Sequence, residues 1–136
     1  MDTSKTYILM CEKAVEVQKH REPGKWEEGD FYIITADAIA ERNPYVFCNH
    51  CGGCKWEVNN PEHTEPIWLP RQDQLQEMYK RANNFPDHYE QLAEFSSFCD
   101  ELFNSIDIRF SSFEQLWLAY VMSEKYGKIW NNTDWK

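Results

Sequence analysis

The stretch that decides the fold is SSFEQLWLAYVMSEKYG, from Ser111 to Gly127. Two serines followed by Glu114 and Gln115 form the capping-box pattern of a helix start, and Gly127 is placed to end the helix. The apolar residues between these ends cover more than one narrow face, because Leu118 and Met122 lie beyond the main stripe of Phe113, Leu116, Trp117, Tyr120 and Val121. A stripe of this width predicts that the C-terminal helix is the most buried element.

Three more helices are predicted upstream from apolar residues at helical spacing. One begins near Pro86 and turns Leu92, Phe95, Cys99 and Leu102 inward, one runs from Arg71 to Asn83, and one runs from Ser4 to His20. A short strand, IDIRF (106–110), is predicted before the last helix.

Short β-branched and aromatic runs predict strands in the first half of the chain. These runs are FYIITAD (31–37), YVF (45–47), KWEV (55–58) and the segment from Glu65 to Leu69, which Pro70 closes. The predicted fold is α+β, with a small antiparallel sheet of three to five strands packed against three to four helices. A length of 136 residues, without a linker or repeat, predicts one domain over residues 1–136.

Composition excludes several classes of protein. With 42% hydrophobic and 15% aromatic residues, the chain has the material for a packed core. The net charge of −9 and the scattered Lys and Arg residues disfavour direct binding of nucleic acid. No apolar run is long enough for a membrane span or a signal peptide, and five Cys residues are an odd number, so we expect a protein of the reducing cytoplasm.

The segment most typical of a metal site is Cys48-Asn-His-Cys51-Gly-Gly-Cys54. Thiolates two residues apart can bind one tetrahedral zinc ion if the backbone turns tightly, which the two glycines allow. We expect one structural zinc held by Cys48, Cys51, Cys54 and His63, with His50 as the second choice for the fourth ligand. The alternatives are three unused thiols in a turn, an iron–sulfur cluster, for which a fourth Cys followed by Pro is missing, and a redox pair without its usual βαβ context.

Acidic residues occupy one face of the predicted helix that begins near Pro86. Between Pro86 and Asp107 there is no Lys or Arg. Their spacings of three, four and seven place Asp87, Glu90, Glu94 and Glu101 on one side. This side is either an ordinary solvated helix face or a docking surface for a basic protein.

A second candidate binding set lies where a strand leads into a helix. Arg71 and Gln72 stand at the positive end of the predicted helix, next to Trp68, and could together bind a small molecule. Helix capping and core packing are the alternative explanations. Motifs for phosphate loops, hydrolase elbows and zinc proteases are missing from the sequence, which favours binding over catalysis.

Two segments, IWLPRQDQLQEMY (Ile67–Tyr79) and SSFEQLWLAYVMSEKYGKIWNNTDW (Ser111–Trp135), resemble a family of small uncharacterised proteins of tailed phages and prophages of Gram-positive bacteria. The opening CEKAVEVQKH, followed by GDFY, is similar to the start of that family. The resemblance implies a phage accessory protein in the cytoplasm of the infected or lysogenic host, with a host or phage protein as partner. It lends no catalytic residues, and the cysteine cluster lies outside it.

Overall fold

The computed structural model describes residues 1–21, 27, 29–33, 46–48, 67–83, 88–105 and 109–136. Their contacts divide the chain into two compact units. The N-terminal unit is Thr3–Arg71, and the C-terminal unit is Met1–Asp2 with Gln72–Lys136. One domain over residues 1–136 stays a prediction.

Helical structure opens the N-terminal unit, with α1 (Lys5–Lys13), α2 (Val15–Gln18) and a 3₁₀ turn (Lys19–Arg21). Ser4 caps α1 by accepting a hydrogen bond from the Tyr7 amide at 3.2 Å. The sequence predicts one continuous helix here, but Ala14 has φ −82° and ψ 63°, which is the conformation of an inverse γ-turn rather than of a helix. The prediction of three to four helices is therefore wrong, since the described residues form five α-helical segments.

A short antiparallel sheet completes the N-terminal unit. Its strands are β1 (Phe31–Ile33), β2 (Val46–Cys48) and β3 (Ile67–Leu69), in the order β2-β1-β3. All three residues of β3 are buried, and α1 packs against this strand. The Tyr7 hydroxyl donates a hydrogen bond to the Pro70 carbonyl, which joins α1 to the end of β3.

The edge of β3 that faces away from β1 is closed by a side chain. The Gln18 amide donates to the Trp68 carbonyl at 3.0 Å and accepts from the Trp68 backbone N–H at 2.8 Å. The same amide nitrogen donates to the Cys11 carbonyl at 3.0 Å, beside the break at Ala14. Gln18 thus replaces a neighbouring strand, and the break in the helix brings it there.

Three helices form the C-terminal unit: α3 (Gln72–Asn83), α4 (His88–Ser105) and α5 (Phe113–Tyr126). Ser112 caps α5 by accepting from the Gln115 amide, and Gly127 ends it with φ +65°. The carboxylate of Asp2 accepts hydrogen bonds from the Ser112 hydroxyl and the Gln115 side-chain amide. α5 packs against α3 and has seven buried residues, more than any other helix in the described part of the chain, as predicted.

A tight hairpin follows α5. Ile129 and Lys136 exchange both backbone hydrogen bonds, and Trp130 and Trp135 face each other with ring centroids 5.0 Å apart. The Asn131 side chain accepts from the amides of Thr133 and Asp134, which fixes the turn. Both indoles are buried, so these two tryptophans pack the C-terminal unit.

The α+β class is confirmed by these elements. The predicted strand at 55–58 lies outside the described residues, as do residues 106–108 of the strand predicted at 106–110. A sheet of three to five strands for the whole chain therefore stays a prediction.

Candidate functional site

α4 is held in the C-terminal unit by aromatic packing. Phe95 is buried and stacks on Trp117 of α5, with ring centroids 3.9 Å apart and an interplanar angle of 4°. Tyr120 meets the same Phe95 ring edge-on at 5.3 Å and contacts Phe98 at 5.1 Å. These contacts fix which side of α4 points inward.

The inward side differs from the predicted one. Gln91 is buried, and its amide donates to the Gln76 carbonyl at 2.8 Å, so this polar group is satisfied within the unit. Leu92, which the sequence placed inward, is 60% exposed. The buried side lies about 50° around the helix from the predicted one, because Gln91 bonds to α3 and Phe95 and Phe98 pack on α5. The prediction that Leu92 packs in the core is wrong.

We define the acidic strip of α4 as Glu90, Glu94 and Glu101. At about 100° per residue these three lie within about 40° of the helix circumference, as the sequence predicts, and all three are exposed. Asp87, the fourth predicted member, lies outside the described residues. Asp100 adds a further exposed carboxylate, and α4 contains no Lys or Arg.

One member of the acidic strip already has a structural role. The Tyr79 hydroxyl of α3 donates a short hydrogen bond to the Glu94 carboxylate, and the Tyr120 hydroxyl lies 3.5 Å from the same oxygen. Burial, and then the hydrogen bond with Glu94, raises the pKa of Tyr79. Burial, and then the hydrogen bond with Tyr79, raises the pKa of Tyr120. Glu94 therefore connects α4 to α3 within the C-terminal unit, whereas Glu90 and Glu101 are exposed on the same side of α4.

The other flank of α4 is apolar and exposed. We define the apolar strip as Tyr89, Leu92 and Phe103, which are 80%, 60% and 89% exposed. They lie within about 60° of one another around the helix. Cys99 lies between them in sequence and is half-buried, and burial raises the pKa of its thiol. Sequence reasoning missed this strip, although the spacing of Tyr89, Leu92, Cys99 and Phe103 (3, 7 and 4) is itself helical.

The second predicted binding set divides between the two units. Trp68 is 1% exposed in the N-terminal unit, and the guanidinium of Arg21 lies 4.5 Å from its ring centroid. The same guanidinium donates from Nε to the buried Asp30 carboxylate at 2.6 Å. Arg71 donates to the carbonyl of Gly29, whose φ of +84° suits glycine. Gln72 begins α3 in the C-terminal unit. Trp68 and Arg71 thus both contribute to packing of the N-terminal unit.

One polar atom of this set has no bonding partner. The indole Nε1 of Trp68 is buried and makes no hydrogen bond to any residue that the structure describes. A buried N–H without an acceptor costs roughly 1–3 kcal/mol. This atom is the one observation that favours a small ligand in the N-terminal unit.

The predicted zinc ligands cannot be placed. Cys51, Cys54 and His63 lie outside the described residues, and only the backbone of Cys48 is described, at the end of β2. Of the other cysteines, Cys11 is buried in α1 and Cys99 belongs to α4 of the other unit. Among the described residues no group of three or more metal-binding side chains occurs.

Comparison with known proteins gives no further assignment. No family model, curated protein or solved structure matches this chain. The helices described above include none with the length and apolarity needed to cross a membrane.

Proposed function

We propose that this chain is a phage-encoded accessory protein that acts as a non-catalytic binding module in the cytoplasm of the host cell. Its partner is a host or phage protein with a basic surface, which it antagonises or modulates through the acidic surface of α4. One observation carries the proposal: α4 presents Glu90, Asp100 and Glu101 to solvent and contains no Lys or Arg. The phage setting is supported by the resembling segments at 67–79 and 111–135.

Charge complementarity explains how such a surface selects a partner. A helix with several exposed carboxylates and no Lys or Arg of its own contributes a negative potential, which speeds encounter with basic proteins and repels acidic ones. The chain as a whole carries a charge of −9, which strengthens the same preference. The attraction is screened over about 8 Å at physiological salt, so partner binding should weaken as salt is raised.

The test is affinity capture from infected cells with a charge-reversed variant. Glu90→Lys with Glu101→Lys moves the net charge from −9 to −5, because each of the two replacements adds two charges. Glu94 is kept, since it accepts a hydrogen bond from Tyr79. Glu12→Lys with Glu124→Lys makes the same change of charge at exposed positions on α1 and α5, and is the matched control.

The expected result is a loss of about tenfold or more in the captured partner for the α4 variant, with capture retained by the control. Mass spectrometry then identifies the partner. Raising the salt concentration should reduce capture by the wild type in the same way. Equal capture by both variants would show that the acidic surface of α4 does not bind the partner.

The second candidate is binding or processing of a nucleotide-like small molecule, and the buried Trp68 Nε1 without an acceptor supports it. A ligand with a hydrogen-bond acceptor would satisfy this N–H, and Arg71 and Gln72 are the other binding residues that the sequence suggests. Its test is a thermal-shift screen against nucleotides with the wild type and Trp68→Phe, in which a phenyl ring replaces the indole and the N–H is lost. A shift in melting temperature that is equal in both proteins, or no shift at all, speaks against a ligand there.

The third candidate is a structural zinc module in a phage assembly, with Cys48, Cys51, Cys54 and His63 as ligands. Support comes from sequence spacing, and zinc would fix the chain after β2, where we predict that residues 55–58 extend the sheet. Elemental analysis after purification without chelator tests it. A content below about half a zinc per chain, or a content unchanged in Cys51→Ser, would count against a closed site.

A further inference from the structure

Two residues that hold the starts of two different helices lie close together in the sequence, at Asp2 and Ser4. Ser4 caps α1, which belongs to the N-terminal unit. Asp2 bonds to the first turn of α5, and both belong to the C-terminal unit. Only the exposed residue Thr3 separates them. We define Asp2–Ser4 as the double cap, because the chain passes from one unit to the other between its two bonding residues.

The Asp2 carboxylate satisfies donors at the start of α5. Its Oδ2 atom accepts from the Ser112 hydroxyl at 2.5 Å and from the Gln115 side-chain amide at 2.8 Å. Gln115 is 1% exposed, and its amide nitrogen also donates to the Ser111 hydroxyl at 3.0 Å. Without Asp2, one N–H of this buried amide would lose its acceptor. Asp2 therefore stabilises the first turn of α5 from 113 residues away in the sequence.

Each of these two residues reduces the conformational entropy that the other must lose. Ser4 is fixed when its hydroxyl accepts from the Tyr7 amide at 3.2 Å, and Asp2 is fixed by its bonds to α5. Because one residue lies between them, fixing either one restricts the backbone of the other. It also raises the effective concentration of the other at its own helix. A long loop between the two residues would weaken this effect.

We infer that the double cap is a conformational device that couples the first turn of α1 to the first turn of α5. When Asp2 leaves Ser112 and Gln115, the first turn of α5 opens more often and Ser4 caps α1 less well. Loss of the Ser4 cap has the converse effect on α5. A chain cut at Thr3 would separate the two bonding residues, so proteolysis at this exposed residue would loosen both helix starts at once.

Amide hydrogen exchange of the full chain tests the coupling at one equivalent position in each helix. The Ile8 amide donates to the Ser4 carbonyl in α1, and the Leu116 amide donates to the Ser112 carbonyl in α5. Asp2→Ala should speed exchange at Leu116 about tenfold and at Ile8 about threefold. Ser4→Ala should give the reverse, with the larger increase at Ile8 and the smaller one at Leu116.

Two control variants separate the double cap from general destabilisation. Asp100→Ala removes an exposed carboxylate from α4 and should leave both amides unchanged. Asp2→Asn keeps an oxygen that can accept both hydrogen bonds, so exchange should rise much less than in Asp2→Ala. The amide of the buried Val121, farther along α5, should stay equally protected in all variants, which shows that the opening is local.

An insertion of four glycines after Thr3 distinguishes coupled caps from independent ones. It replaces neither Asp2 nor Ser4, but it lengthens the segment between them. We expect Ser4→Ala to speed exchange at Leu116 in the normal chain and to leave it unchanged in the chain with the insertion. An effect of Asp2→Ala that is confined to α5, or an effect of Ser4→Ala on Leu116 that survives the insertion, would overturn the inference.

Discussion

Replacing either Phe95 or Phe103 on α4 should reveal which side of this helix is buried. Phe95→Ala removes a ring that is 7% exposed and stacked on Trp117, whereas Phe103→Ala removes one that is 89% exposed. Truncating a buried Phe costs about 3–5 kcal/mol, and an exposed one changes stability by about 0.5 kcal/mol or less. Both changes replace Phe by Ala in the same helix, so the gain in helix propensity is similar and the difference reports burial.

The assay is urea denaturation of the two variants and the wild type, followed by far-ultraviolet circular dichroism. Phe95→Ala should lower the free energy of unfolding by about 3 kcal/mol more than Phe103→Ala does. With a denaturant slope of roughly 1–3 kcal/mol per molar, the midpoints should differ by about 1–3 M. Equal losses, or a larger loss for Phe103→Ala, would show that α4 is turned the other way and that the apolar strip is core.

Three further predictions concern polar contacts. Because burial raises the pKa of Tyr79 and Tyr120, the stability that their protonated hydroxyls contribute is complete below pH about 10 and is lost as pH rises above it. An absorbance titration should therefore show tyrosines that ionise only with alkaline unfolding, and Tyr79→Phe and Tyr120→Phe should each reduce their number by one; ordinary titration of all tyrosines in the folded chain contradicts this. Gln18→Ala should lower the free energy of unfolding, measured by urea denaturation, by about 1–3 kcal/mol, because the backbone N–H and carbonyl of Trp68 lose their hydrogen bonds to this side chain. An unchanged midpoint would show that these bonds do not stabilise the fold. Arg21→Met should lower the free energy of unfolding by about 1.5–3 kcal/mol, because the buried Asp30 carboxylate loses its bond to the guanidinium. Adding Asp30→Asn to this variant should restore part of the loss. A double variant no more stable than Arg21→Met would refute the ion pair.

Local signals in the sequence predict those features that depend on neighbouring residues. Ser112 and Gly127 fix the ends of α5 because a side-chain cap and a positive φ act within one turn. The width of the apolar stripe on α5 likewise predicts that most of this helix is buried, although Phe113 in its first turn is 64% exposed. These are properties of a short stretch of chain, and the structure has them as predicted.

Features that depend on distant partners escape such reasoning. The break at Ala14 accompanies hydrogen bonds from Gln18 to Trp68, fifty residues away, and nothing near Ala14 in the sequence marks it. The rotation of α4 is of the same kind, because this helix has apolar residues on more than one side. The hydrogen bond from Gln91 to Gln76 and the stacking of Phe95 on Trp117 decide between them, and both partners lie on other helices.

The candidate site shows the same division. The shared face of Glu90, Glu94 and Glu101 follows from spacing alone, whereas the bond from Tyr79 to Glu94 does not. The sequence therefore identifies the carboxylates as a set, and the structure separates the one that holds the fold from the two that face outward.

Hydroxyl-radical footprinting of the chain, alone and with its captured partner, tests most directly whether the outward side of α4 is the binding surface. We predict that Tyr89 and Phe103 oxidise rapidly in the chain alone and become protected in the complex. Phe113 on α5 should stay equally reactive in both. Unchanged oxidation of Tyr89 and Phe103 upon binding, with protection appearing elsewhere, would contradict it.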